Sequence, residues 1–172
     1  MDFLKLARER YSVRKFKSQQ VEQEKIDKIL KAIQLAPTAK NSQAFKVFLF
    51  SSKQAKQKLD DLIIFPFMKE APLAIAIGAC KTTGYLRKFD NKSYNQVDAS
   101  IAATHMILEI AALGLGTTWL GHFDDKLVKN AFPELNDYDL VGIFPIGYPA
   151  DDAKPSEMHS QRKSIDKLLV KI

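Results

Sequence analysis

The chain has 172 residues, of which 46% are hydrophobic and 27% charged, and a formal net charge of +6. That length and balance suit one globular domain with a real core and exclude a disordered or fibrous chain. The single cysteine, Cys80, excludes an internal disulfide framework; with no signal-peptide core after Met1 and no apolar run of ~18 residues to span a bilayer, a cytoplasmic protein is expected.

In chain order, residues 2–9 are expected to form a short helix. Residues 22–36 form a second: Ile26, Ile29, Leu30 and Ile33 follow the spacing of one helical face. Pro37 ends it. A polar loop from Thr38 to Gln43 leads into an aromatic-rich strand at 45–50. Residues 53–64 return to helix, with Lys53, Lys56 and Lys58 expected on one solvated face. The apolar run 73–78 after Pro72 suits a central strand covered on both sides. Cys80, near the apolar Ile77 and Ala79, reads as a buried structural thiol. Residues 81–95 lack periodicity and are expected to loop. Residues 97–113 form the longest apolar helix, with apolar positions spread so widely that burial nearly all round is expected. Gly114 and Gly116 break it. A short strand or turn at 117–121, a helix at 125–132 and a strand at 139–147 follow. The tail from Tyr148 starts irregular and ends in the apolar series Ile165, Leu168, Leu169 and Ile172. No repeat or linker divides residues 1–172, which read as a single domain. Strands separated by helices give an α/β or α+β sandwich, a sheet covered by helices.

Some residue groups carry chemistry. Arg10, Ser12 and Arg14 alternate along Arg10-Tyr11-Ser12-Val13-Arg14-Lys15-Phe16. On extended backbone they share a face. Guanidinium forks and a hydroxyl on one face suit a phosphate, although a solvated basic segment has the same composition. The amides of Asn41 and Gln43 suit the edge of a heteroaromatic ring or a ribityl chain; they can equally close the loop's own hydrogen bonds. Trp119, the only tryptophan, either walls an aromatic pocket or sits in the core. Arg162 and Lys163 by themselves are surface charges. His105, His122 and His159 show no metal-ligand spacing, so no metal is expected. There is no GxSxG elbow, GxGxxG turn or P-loop.

In their order and spacing these pieces resemble the nitroreductase family of flavin enzymes over essentially the whole chain. The matching segments are Arg10-x-Ser12-x-Arg14-x-Phe16; Ala36-Pro37-Thr38-Ala39-Lys40-Asn41-Ser42-Gln43; Asp98-Ala99-Ser100-Ile101-Ala102-Ala103; Leu113-Gly114-Leu115-Gly116-Thr117-Thr118-Trp119-Leu120-Gly121; Ile146-Gly147-Tyr148-Pro149; and Arg162-Lys163-Ser164-Ile165-Asp166. The length points to the compact branch of the family. Two positions depart from the family pattern: Ala44-Phe45 stands where Pro-Trp usually follows the Gln, and Ser164 replaces a Pro. Both bear on loop rigidity more than on cofactor identity.

The resemblance implies an α+β fold with a central mixed, mainly antiparallel sheet flanked by helices, in an intertwined homodimer. It implies a non-covalent FMN at the dimer interface and NAD(P)H as co-substrate. Arg10, Ser12 and Arg14 would hold the phosphate, with Arg162 and Lys163 closing from the tail. Pro37, Thr38, Ala39, Asn41 and Gln43 would come from the other protomer to line the ribityl chain and ring edge. Trp119, Leu120, Gly121 and His122 would pass beside the isoalloxazine, with a backbone N–H near Gly121 or His122 facing N5. The implied reaction passes a hydride from NAD(P)H through flavin to a small acceptor, such as a nitroaromatic or quinone, in ping-pong order. The chemistry is the cofactor's, so no side chain is singled out as catalytic. Beside a flavin-storage or sensing dimer without turnover, two alternatives stay open. One is a specialised flavin enzyme of the same fold that dehalogenates or fragments its substrate. The other is a small basic nucleic-acid-binding module, since residues 10–17 interleave basic and aromatic side chains.

Overall fold

Alternation along one strand organises the architecture. In the computed structural model, which describes residues 2–172, strand β2 spans Leu73–Cys80. Leu73, Ile75, Ile77 and Ala79 enter one core, shared with Ile26, Ile29 and Ile33 of α2 (Gln23–Gln34) and with Ala99, Ala102, Met106 and Ile110 of α5 (Asn95–Ala112). Ala74 and Ala76 enter a second core on the other face, with Leu59 of α3 (Lys53–Asp60), Met68 of α4 (Phe67–Glu70) and Val128 of α6 (Asp125–Ala131). The period of two along a strand sends neighbouring side chains to opposite faces, so one strand serves two cores.

The sheet order is β1–β2–β6–β5, with β1 at Phe45–Phe50, β5 at Gly116–Thr117 and β6 at Tyr138–Gly147. Every ladder in it is antiparallel: Val47 faces Ile77 and Ile75 faces Phe144, with a bulge between Ile77 and Gly78. The parallel element of this mixed sheet is one bridge, Ser12 with Thr117. No helix of the described residues is long and apolar enough to cross a membrane.

Local chemistry sets the helix ends. The Asp2 carboxylate caps α1 (Phe3–Glu9), Ser52 caps α3 and Asp124 caps α6, each accepting an N–H that the helix leaves free. At the far end of α5, the Leu115 N–H donates to the Ile110 carbonyl and the Gly114 N–H to that of Ala111. This Schellman stop needs a left-handed residue, and Gly114 supplies it at φ +73.

The structure corrects four expectations. Helix α3 ends at Asp60 and not at 64, and the short α4 follows after Pro66. Lys56 is not on a solvated face. It is buried, and its ammonium donates to both Asp60 carboxylate oxygens at 2.6 and 2.7 Å and to the Met68 carbonyl at 2.6 Å. The stretch 81–95 contains a hairpin, β3 (Leu86–Arg87) with β4 (Lys92–Ser93), whose turn is held by the Arg87–Asp90 ion pair. Finally, α5 is buried on one side only. The sheet and α2 cover that side and leave Gln96, Val97 and Thr104 exposed.

Candidate functional site

The segment after α1 is extended, and this places the first basic cluster. The Arg10 N–H closes α1 on the Leu6 carbonyl, and Arg10 then turns to φ -60, ψ 127. From there the chain runs beside β5: the Val13 N–H donates to the Thr117 carbonyl at 3.0 Å, and Val13 is buried. With Val13 inward, Arg10 and Ser12 line a cleft of about 290 Å3 together with Thr104, Thr117, Thr118 and Trp119. A second cleft of about 340 Å3, on the α1 side, shares Arg10 and Thr117 and adds Lys5 and Glu9. Arg14 is exposed and lines neither cleft.

Pairing distinguishes the guanidiniums. Arg87 is paired with Asp90, whereas Arg8, Arg10, Arg14 and Arg162 meet no carboxylate among the described residues. Among the described residues the Arg162 guanidinium donates only to the carbonyls of Met158 and Gln161. Unpaired guanidinium beside a hydroxyl is a ready receptor for an oxyanion. The Thr117 hydroxyl oxygen is buried without a hydrogen-bond partner among the described residues. Such an orphan asks for a group from outside.

Trp119 is a wall and not a core residue. Its indole N–H donates to the Val141 carbonyl at 2.8 Å, and its ring meets Phe144 edge-on at 5.1 Å. Leu120 next to it turns into the core, where its backbone exchanges both hydrogen bonds with Ile143 at 3.0 Å. Gly121 and His122 are exposed, and the His122 ring packs edge-on to Phe65 at 6.0 Å.

The loop Pro37, Thr38, Ala39, Asn41 and Gln43 lines neither Arg10 cleft. It has its own architecture. Lys40, Asn41 and Gln43 all have positive φ, near 50°. The Thr38 hydroxyl accepts the Gln43 N–H at 3.1 Å, and the Gln43 amide donates to Asn41 Oδ1 at 3.0 Å. Arg162 and Lys163 lie in an exposed tail around a separate concavity. The structure therefore gathers Arg10, Ser12 and Trp119. Arg14, the 37–43 loop, Leu120, Gly121, His122, Arg162 and Lys163 stand outside their cleft.

Sequence reading missed Thr104, Thr117 and Thr118 as lining residues. The signal was present for two of them: consecutive threonines, both buried, inside an apolar stretch before a tryptophan. Asp98, also missed, ties the 37–43 loop to α5. Cys80 departs from its expected buried state. It ends β2 half-exposed, the Thr83 hydroxyl donates to its sulfur at 3.1 Å, and Thr82 lies at 3.6 Å. These hydroxyl contacts, Thr83 foremost, with help from nearby backbone N–H groups, stabilise the thiolate and lower its pKa to about 7.

Comparison with known proteins shows the family and the fold. A family model described as Nitroreductase family matches residues 7–64 and 61–148. A nitroreductase family protein of Clostridium difficile 630 superposes with a TM-score of 0.88 at 29% identity, covering 99% of this chain and 98% of that one. An FMN-dependent nitroreductase from a second Clostridium difficile strain is 30% identical with a TM-score of 0.73, covering 94% of this chain and 98% of that one. An FMN reductase [NAD(P)H] of Bacillus subtilis is 28% identical over 163 residues, which is 81% of this chain and 63% of that protein.

Proposed function

This chain belongs to the nitroreductase family, and on that premise we propose how its cleft works. The protein is a flavin-dependent NAD(P)H oxidoreductase with FMN as cofactor. FMN supplies acceptance of a hydride from NAD(P)H and its onward transfer. Donor and acceptor take turns at one face, a ping-pong order, and the acceptor is a small nitroaromatic or quinone.

The observation that carries the reading is the meeting of Arg10 and Ser12 with Trp119 in one cleft. The donor set fits FMN: guanidinium and hydroxyl for a phosphate, an indole wall for an aromatic ring, and an orphan Thr117 hydroxyl for a polar edge. Arg14, Arg162 and Lys163 line no part of this cleft within one chain; they would add cationic charge to the phosphate end in the assembled protein. The remaining assignments depend on a homodimer. The 37–43 loop, absent from its own protomer's cleft, would serve the partner's cofactor with Pro37, Thr38, Ala39, Asn41 and Gln43. Leu120 fixes the turn at which Gly121 and His122 expose backbone N–H groups to the flavin.

Anaerobic addition of NADH or NADPH to the FMN-loaded protein is expected to bleach the visible flavin band. A quinone or nitroaromatic is then expected to restore it. Protein that stays colourless after incubation with FMN overturns the reading.

A further inference from the structure

We propose that Asp98 is a positioning residue for the cofactor: its carboxylate fixes the shape in which the 38–43 loop presents its amides to FMN. The inference rests on the reading above that this loop touches the cofactor.

Asp98 sits in the first turn of α5 and is 2% exposed. Its Oδ1 accepts the Ala39 N–H at 2.9 Å and its Oδ2 accepts the Ser42 hydroxyl at 3.2 Å. No ion pair neutralises it among the described residues. A carboxylate this buried is costly unless its acceptors are used. Here the loop contacts use both oxygens, and the N-terminal end of the helix favours the negative charge.

The two contacts bracket Lys40 and Asn41, at φ 52 and φ 53, and Gln43 follows at φ 48. Left-handed backbone at three non-glycine residues this close together persists only where surrounding contacts over-determine it. From inside the loop, the Thr38 hydroxyl accepts the Gln43 N–H, the Thr38 and Ala39 carbonyls accept the Asn41 and Ser42 N–H groups at 3.0 Å, and the Gln43 amide donates to Asn41 Oδ1. From outside it, Asp98 grips Ala39 and Ser42, on either side of the left-handed pair Lys40 and Asn41. Without that grip the loop relaxes, and Asn41 and Gln43 lose their common orientation. The apolar core beneath needs no carboxylate here, so the side chain's work is directed at the loop.

The test uses the isosteric Asp98→Asn, with Ser42→Ala as a milder probe of the same contact. Titration of the full-length apoprotein with FMN and with riboflavin, by quenching of flavin fluorescence, reads the effect. Asp98→Asn is expected to keep the fold by circular dichroism and to weaken FMN and riboflavin by the same factor. That factor is about tenfold, or about 1.4 kcal/mol. The loop faces the ribityl chain and ring, which both ligands share, whereas Arg10→Ala weakens FMN alone. The visible band of bound flavin should move toward that of free FMN. Adding Ser42→Ala to Asp98→Asn should weaken binding no further, because the two act through one contact. A variant that melts earlier yet binds both ligands as wild type, with an unmoved band, would leave Asp98 a purely structural role and overturn the inference. A loss confined to FMN would overturn it too, since it would place the effect at the phosphate. If Asp98→Asn does not fold, Ser42→Ala decides: a shared loss for both ligands supports the inference, and wild-type binding overturns it. Wild-type protein that takes up no FMN would instead overturn the parent reading, a result distinct from all of these.

Discussion

A Cβ added to Gly142 would stand 2.6 Å from Nε1 of Trp119. The tryptophan that walls the cleft thus rests on bare backbone of β6, and the Val141 carbonyl holds its indole N–H. Gly142→Ala must displace the ring or bend the strand. Overpacking of this kind costs about 1–3 kcal/mol. The expected outcome is a lower urea midpoint, a red-shifted tryptophan emission and weaker FMN binding. Unchanged emission together with unchanged FMN affinity would show that the seat of Trp119 does not shape the cleft.

Arg10 tests the anion site directly. Arg10→Ala removes a charge-assisted contact worth about 1.5–3 kcal/mol, or about tenfold to a hundredfold in FMN affinity. Riboflavin, which lacks the phosphate, should bind the variant and the wild type alike. The loss should shrink at high salt, because the contact is partly exposed and therefore screened. Calorimetric titration at two ionic strengths checks both statements. An unchanged FMN dissociation constant would reduce residues 10–14 to a surface charge run.

Lys56 is a prediction about stability alone. Removing one partner of a buried ion pair leaves an uncompensated charge, typically a loss of about 3–5 kcal/mol. Lys56→Met strands the Asp60 carboxylate and the Met68 carbonyl, both of which the ammonium satisfies. Denaturant unfolding should show that loss, and Lys56→Met with Asp60→Leu should recover most of it. The pair lines neither Arg10 cleft, so FMN affinity should be unchanged in the double variant.

What the sequence discloses depends on range. The core strand, both long helices and the alternation of Arg10 with Ser12 follow from periods of 2 and 3.6, which are local. The burial of Lys56 is not local, since its third partner is a carbonyl on another helix. The tie from Asp98 to Ala39 joins residues 59 apart and leaves no periodic trace. The left-handed run at Lys40, Asn41 and Gln43 was hidden because only Asn among them commonly adopts that conformation. Cys80 misled because its apolar neighbours belong to the strand, whereas the thiol lies at the strand's open end beside two threonines.

That thiol gives a pH-dependent prediction. Thr83, foremost among its partners, stabilises the thiolate, and the pKa falls to about 7. Since the thiolate is the nucleophile, alkylation of Cys80 by iodoacetamide should rise with pH through a midpoint near 7. Thr83→Val removes a stabilising donor, so the midpoint should move upward and alkylation at neutral pH should slow. A wild-type midpoint at the ordinary thiol value would show that the hydroxyls do not act on the sulfur.

The tail carries the prediction about assembly. Residues 160–172 are exposed throughout, including Ile165, Leu168, Leu169 and Val170. An exposed apolar series of this kind needs a covering surface. The tail is anchored to its own protomer before that point: the Tyr11 hydroxyl donates to the Ala153 carbonyl at 3.4 Å, and the His159 ring donates to the Arg8 carbonyl at 3.1 Å. Truncation after Ser160 therefore keeps the anchor and removes both the apolar series and Arg162. If the tail embraces a second copy, the full chain should sediment as a dimer at micromolar concentration, and the truncated chain should shift to monomer. FMN affinity should fall at the same time, because each site would lose the partner's 37–43 loop along with its own Arg162. A full-length monomer loaded with flavin would refute the shared site. A truncated dimer that kept its FMN would refute the part given to Arg162 and leave the interface to the exposed side of α5.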